Sequence, residues 1–507
     1  MKEYTTEALS LGMGATDDER RFVWLQSPDF RGARVRIAPL ALYERDGGFT
    51  ETNCRIEEGV CTPVRRDTPY LSCKVRIGNL APDTEYIYSV GYDGAFRDVT
   101  YRFRMPPRDG SRRSFFMISD LHINVYRRPF HTHDPEGKRA MERFENTLAS
   151  AAAYGGTAPD FMLSLGDNIS VGNMGAGMYP EPEKFTKHLS AEFIFTEHRE
   201  FLMPRALKEI PIATVMGNHD AACLPSGAEP IGDGSNAFFD LPNDDGYAGH
   251  YLDGDGGDTA VPPTISSGNF YFRSGDLLVV GINAMIAPHG NCTPCAPEVH
   301  RAYIEKAIAA APTARWRILL CHVPAYSYVE GAPVRTAGTT SGVPAAPTET
   351  ARMAEFFDSL TDPYGFDVVF TGHQHAFSRT YPLLGGKPVG EAERTVTTAP
   401  DGSVTETLTK PHGPIHYNVP SAYDHSFVSN LPSDPAALYP AYGVKIYNLK
   451  EAVEKKVPNI ENFAGITYNS AAYTYVTIAR EADASVMTIS SVRSDNGEAF
   501  DTLIIRK

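Results

Sequence analysis

Five apolar runs in this chain each end in a cluster of aspartate, asparagine or histidine, and that recurrence constrains the fold more than any other feature. Ser114 to Ser119 runs into Asp120-Leu121-His122, and Phe161 to Leu165 runs into Gly166-Asp167-Asn168. Ile210 to Met216 precedes Gly217-Asn218-His219-Asp220, and Trp316 to Cys321 ends on His322. Val368 to Phe370 leads into Thr371-Gly372-His373-Gln374-His375. The runs have strand length, and helix-like stretches separate them. Strands joined by helical crossovers pair in parallel, and ligand chemistry in such sheets collects at the strands' carboxyl ends. The expectation is an α/β fold with its site there. Glycine before His373 permits a sharp turn, and a one-residue spacer lets His373 and His375 reach neighbouring positions.

At 507 residues the chain exceeds one usual core, so two domains are expected. No apolar run reaches the ~20 residues of a membrane helix, and a formal charge of -15 argues against a binder of nucleic-acid backbone. A local cationic site still attracts an anion, because the Debye length is only about 8 Å at physiological salt. Met1 to Ser10 carries glutamates and threonines where a signal peptide would be basic and then apolar. Seven scattered cysteines are no disulfide framework. Together these favour the cytoplasm, an exported enzyme trimmed of its leader being the alternative. Cys292 and Cys295 have the spacing of half a zinc knuckle, but no second pair completes it; a local disulfide or two free thiols is the plainer reading.

Residues 1–108 read as an all-β sandwich, with strands at Phe22 to Leu25, Ala33 to Ile37 and Ser72 to Ile77 and no helical period. Trp24 is the expected core anchor. Tyr86, after Leu80-Ala81-Pro82-Asp83, resembles the tyrosine that pins a turn in fibronectin type III domains. Met105-Pro106-Pro107-Arg108-Asp109-Gly110 marks the boundary. A second domain follows over 111–507, with helices expected at Glu142 to Tyr154, Val299 to Ala310 and Thr350 to Leu360. Ala221 to Asn269 is rich in Gly, Asp, Pro and Asn and reads as long loops over the site. A hairpin is expected at 391–410, around Asp401-Gly402 and inserted at the rim, and closing strands at 473–507.

Asp120, His122, Asp167, Asn218, His322, His373 and His375 are the candidate metal ligands. Seven oxygen and nitrogen donors without a thiolate suit two divalent ions better than one, with a shared carboxylate as bridge. Two such ions bring about +4 and the two aspartates about -2, leaving about +2 to meet a phosphate. Ions roughly 3.5 to 4 Å apart also lower the pKa of a bridging water, giving a hydroxide in line for attack on phosphorus. His219 sits between Asn218 and Asp220. Asp220 can keep it protonated to donate to the leaving oxygen or a phosphoryl oxygen; alternatively His219 only orients Asn218.

The five clusters together resemble the calcineurin-like metallophosphoesterase superfamily, whose pattern is D-x-H, G-D, G-N-H-[DE], H and G-H-x-H in this order. The resemblance implies that Asp120, His122 and His375 hold one ion, that Asn218, His322 and His373 hold the other, and that Asp167 bridges. It also implies that His219 is the non-ligand catalytic histidine, and that the fold is a four-layer α/β/β/α sandwich. A β-sandwich ahead of that domain is similar to the purple acid phosphatase arrangement. Two features depart from it. Ser170 stands where those enzymes have a tyrosine three residues after the bridging aspartate, and His122 is present where they lack a histidine. No charge-transfer colour and no compulsory ferric ion are therefore expected, and the two ions are left among Fe, Mn and Zn. Val323 to Met353 also lacks the extra histidines of that group; His412, His416 and His425 are substitutes or plain loop residues.

The expected function is a phosphomonoesterase acting on a small phosphate ester. Phosphodiester or nucleotide pyrophosphate hydrolysis uses the same core and is the alternative. A sandwich for adhesion joined to a degenerate scaffold is the non-enzymatic reading, which the complete ligand set disfavours.

Overall fold

Strand alternation assigns the layers. In Trp316–Leu320 the side chains of Trp316, Ile318 and Leu320 enter one core, while Leu319 and the following Cys321 enter another. The computed structural model describes residues 6–64, 69–110, 112–123, 138–169, 191–217, 220, 234–245, 250–252, 258–260, 269–283, 297–324, 326, 355–373, 375–390, 393–422, 463–466 and 471–507.

The N-terminal strands are β1 (Thr6–Met13), β2 (Arg20–Gln26), β3 (Ala33–Pro39), β4 (Arg55–Pro63), β5 (Leu71–Ile77), β6 (Glu85–Gly91) and β7 (Tyr101–Arg104). They form a two-layer sandwich in which β4 changes layers, pairing with β3 up to Gly59 and with β5 from Val60. Gly59 sits at the crossing, where a Cβ would meet the Lys74 carbonyl at 1.9 Å. Leu11, Phe22, Trp24, Val35, Val75 and Tyr88 fill the space between the layers. The Tyr86 hydroxyl accepts the Ala81 N–H at 2.8 Å and so pins the turn before β6.

Two expectations for this region are corrected. Leu40–Asp46 is a helix, stopped by Gly47 in the left-handed region (φ 73°). Its seven residues are too few to show a helical period against the surrounding β pattern. Cys61 and Cys73 are directly opposed on β4 and β5 and form a disulfide, which removes the cysteine premise for a reducing compartment.

The later strands are β8 (Arg112–Ile118), β9 (Phe161–Ser164), β10 (Ile212–Thr214), β11 (His250–Leu252), β12 (Asp258–Ala260), β13 (Phe270–Ser274), β14 (Leu277–Gly281), β15 (Trp316–Leu320), β16 (Val368–Thr371), β17 (Ser378–Leu384), β18 (Lys387–Pro388), β19 (Glu393–Thr398), β20 (Val404–Thr409), β21 (Ile415–Asn418), β22 (Phe463–Ile466), β23 (Ala472–Arg480), β24 (Ser485–Arg493) and β25 (Ala499–Arg506). Parallel β8, β9 and β10 lie in one sheet, which the antiparallel β23, β24 and β25 extend. Parallel β14, β15, β16 and β21 form the heart of the other.

The sheets pack face to face and are tied across the core. Trp316 Nε1 donates to Ser485 Oγ at 2.8 Å, and the hydroxyls of Tyr417 and Ser491 are hydrogen-bonded at 2.6 Å. The opposite parity of β14 to β16, including Leu278, Val280, Leu319 and Val369, packs on the helix Pro297–Ala310 and on a helix over residues 355–361. The helix Lys138–Tyr154 lies against the first sheet through Phe144, Leu148 and Ala151. This is the α/β architecture expected, with helices outside two packed sheets.

The sandwich is not a loosely tethered neighbour. β1 pairs in parallel with β10 at Gly12 and Ile212, so one of its layers continues the first sheet. Tyr88 donates to the Lys208 carbonyl at 2.7 Å, and Ser10 and Ser72 donate to the carbonyls of Phe238 and Ala237. The hairpin β19–β20 is likewise not a rim insertion: β20 pairs in parallel with β25 and extends the edge of the same sheet. Leu408 and Glu406 are buried there, which a rim hairpin would not achieve. Among the described residues no helix is long and apolar enough to cross a membrane.

Candidate metal centre

The ends of β8 and β9 stay paired past the strands, as do those of β15 and β16, and the His373 N–H to Asp120 and His322 Nδ1 to Leu165 O bonds join the two pairs. Asp120 N–H donates to Gly166 O, His122 N–H to Asp167 O, and Gly372 N–H to His322 O, at 2.8 to 3.0 Å. Two triads result, Asp120 with His122 and His375, and Asp167 with His322 and His373. Within each, the donor atoms lie within 4.8 Å of one another.

The triads adjoin. Asp167 Oδ2 is 3.3 Å from His322 Nε2 in its own triad and 3.5 Å from His122 Nε2 in the other. Asp120 Oδ1 stands 3.4 Å from His375 Nε2 and 4.0 Å from His322 Nε2. Asn218, His219 and Ser170, singled out in the sequence, lie outside the described residues, as do Cys292, Cys295 and His425.

Close backbone approach makes the convergence possible. Asp120, His122, Asp167, His373 and His375 are five of the ten described non-glycine residues with positive φ. Side chains rarely accept that region, and such strain persists where surrounding contacts over-determine it. The glycines beside the motif residues serve the same end. A Cβ on Gly217 would lie 2.1 Å from Asp167 Oδ1, and one on Gly372 1.8 Å from Ser119 Oγ and 2.9 Å from Asp120 Oδ2. Gly372→Ala is accordingly expected to push Ser119 against Asp120, costing about 1–3 kcal/mol of stability by overpacking. Urea unfolding together with metal content checks this; an alanine variant with unchanged stability and metal uptake would refute the tight approach.

Neighbouring groups orient the donors. His322 Nδ1 donates to the Leu165 carbonyl at 2.7 Å, which fixes the ring and turns Nε2 toward the triad. Asp120 accepts the His373 N–H at 2.8 Å and the Ser119 hydroxyl at 2.5 Å, while Ser421 Oγ donates to the Asp120 carbonyl at 2.9 Å. Asp220 is buried and accepts four main-chain N–H groups, from Asp167, Asn168, Ile169 and Gly217.

Electrostatically the pocket calls for positive charge. Burial lowers the pKa of His322, but the carboxylates of Asp167 and Asp120 outweigh it and carry the imidazole up to about 9. Burial, reinforced by His322, takes His373 down to about 4. Burial and the charge of Asp167 push Asp220 up to about 7. The field that holds a proton on His322 is the field a cation would meet.

Ser421 had no clear signal in the sequence: it follows β21 across a proline and reaches Asp120 only because the chain passes there from one sheet to the other. Of the proposed substitute histidines, His412 is exposed. His416 is buried within β21, its ring edge-on to Tyr326 at 4.6 Å and on the helix-facing side with Val369, away from the strand ends. A residue inside a strand of a packed layer cannot reach that cleft.

The family model for calcineurin-like phosphoesterases matches residues 114–377, more than half of the chain. The chain belongs to this family. As a member it is a metal-dependent hydrolase of phosphoric esters, and the family implies divalent metal ions and small phosphate ester substrates. Among solved structures, this phosphoesterase is similar to a purple acid phosphatase from yellow lupin (Lupinus luteus) seeds. The TM-score is 0.59 at 13% identity, covering 99% of this chain and 74% of that one. At that identity the likeness shows the fold. A dimetal phosphatase from Danio rerio also matches, with TM-score 0.33 and 8% identity over 77% of this chain and 98% of that one. None of the curated proteins compared with the chain matches it.

Proposed function

We propose that this phosphoesterase is a phosphomonoesterase working with two divalent ions, one held by Asp120, His122 and His375, the other by Asn218, His322 and His373, with Asp167 shared. The observation that carries the reading is the single oxygen Asp167 Oδ2 within 3.5 Å of an imidazole from each triad. The donor set fits such ions: carboxylate and imidazole only, with His322 already oriented through its Nδ1. When bound, the ions supply Lewis acidity toward a phosphoryl oxygen and lower the pKa of a water toward neutrality. Asp120 and Asp167 leave the centre a net charge of about +2, suited to a dianionic terminal phosphate. His219 donates a proton to the departing ester oxygen from its ring nitrogen. Serine at position 170 offers no tyrosinate, so Mn or Zn serves as well as Fe.

Turnover of p-nitrophenyl phosphate and bis-p-nitrophenyl phosphate under added Mn, Zn or Fe tests the substrate. Preference for the first is expected; preference for the second would assign a phosphodiesterase instead. His219→Ala is expected to keep its metal and lose about 10²-fold or more in kcat. Full activity in that variant would remove His219 from the chemistry.

A further inference from the structure

We propose that Asp220 is a positioning residue that staples two site loops together and so sets both metal positions at once. The inference rests on the two-ion reading above and gives Asp220 a part other than polarising His219.

The hydrogen bonds divide by loop and by oxygen. Oδ2 accepts one N–H from each loop, Asp167 at 2.7 Å and Gly217 at 2.9 Å; Oδ1 accepts Asn168 at 3.0 Å and Ile169 at 3.3 Å. An ionised carboxylate has about four acceptor positions, and here four N–H groups occupy them. The desolvation cost of this buried carboxylate, 5% exposed, is offset in part by these charge-assisted bonds. One loop carries Asp167, held in the left-handed region at φ 53°; the other presents Gly217, immediately before Asn218. At their junction no atom fits beyond the glycine hydrogen. A shift of the Asp220 carboxylate therefore moves the shared ligand and the loop bearing Asn218 together.

Asparagine is nearly isosteric but sets an NH2 against N–H donors, so Asp220→Asn loses two or more of the four bonds. In the whole 507-residue chain its Mn²⁺ half-saturation for p-nitrophenyl phosphate turnover is expected to rise about 10- to 100-fold, with kcat recovered to within about threefold at saturating Mn²⁺. Asp220→Glu retains two acceptor oxygens and is expected to fall between asparagine and the parent. A fall in kcat at saturating Mn²⁺ with unchanged half-saturation would make Asp220 a partner of His219 and overturn the proposal. A lower melting temperature with unchanged half-saturation would overturn it too, leaving only a structural role. The parent protein, freed of metal with EDTA, supplies a reading independent of the variants. The amides of Asp167, Asn168, Ile169 and Gly217 should be protected from hydrogen exchange, and free exchange sinks the staple. A parent that takes up no Mn²⁺ yet protects these amides overturns the two-ion reading and the metal-setting role with it, while the staple alone stands.

Discussion

Asp167→Asn is expected to lose both ions together and, at limiting metal, about 10⁴-fold in turnover, the several kcal/mol of transition-state stabilisation that the ions supply. The reason is geometric. Asp167 Oδ2 faces His322 Nε2 of its own triad at 3.3 Å and His122 Nε2 of the other at 3.5 Å, so one oxygen lies beside an imidazole of each. An amide oxygen carries no full charge to share between two cations, and its NH2 repels them. Elemental analysis after metal loading should find neither ion at stoichiometry, whereas a variant of Asp120 should spare the triad of Asp167, His322 and His373 more than its own. Retention of one full equivalent and ordinary turnover in Asp167→Asn would show that the carboxylate is not shared.

Arg379→Ala is expected to destabilise the protein by about 3–5 kcal/mol, because it strands the buried carboxylate of Asp501, while Glu406 keeps its pair with Arg394. Arg379 Nε and Nη2 donate to Asp501 at 2.9 and 3.1 Å, and Nη1 pairs with Glu406. Arg379 is 2% exposed, Glu406 1% and Asp501 5%. These residues come from β17 in one sheet and from β20 and β25 in the other, so the cluster pins the hairpin to the two packed layers. Urea unfolding followed by intrinsic fluorescence measures the loss. A change below about 1 kcal/mol would mean the pair is solvated and worth no more than a surface bridge.

How much of this was legible depends on whether the signal is local. The parallel strands announced themselves by composition and by the donors that follow them, and the helix expected at Glu142 to Tyr154 is Lys138–Tyr154, its start alone displaced. The side chains Asp120, His122, Asp167, His322, His373 and His375 are legible because each ends or follows an apolar run, and the structure brings them together. The Cys61–Cys73 pair, by contrast, depends on the register of β4 against β5, and two cysteines twelve residues apart do not state a register. His416, in the segment after the hairpin, reads as a substitute histidine or a plain loop residue; its pairing opposite Val369 places it in a strand.

Most element types, the order of the donors and the chemistry those donors favour are written locally in the sequence, because period, turn residues and ligand type are properties of short stretches; the helix Leu40–Asp46 and the strand holding His416 are not. Tertiary structure decided which layer each strand joins, that β1 carries the sandwich into the first sheet, and that the hairpin lies at a sheet edge. It also decided that Asp220 faces four main-chain N–H groups from two loops. Those outcomes depend on which distant surfaces meet. An alternating strand specifies that one face is to be buried, and leaves open what will bury it.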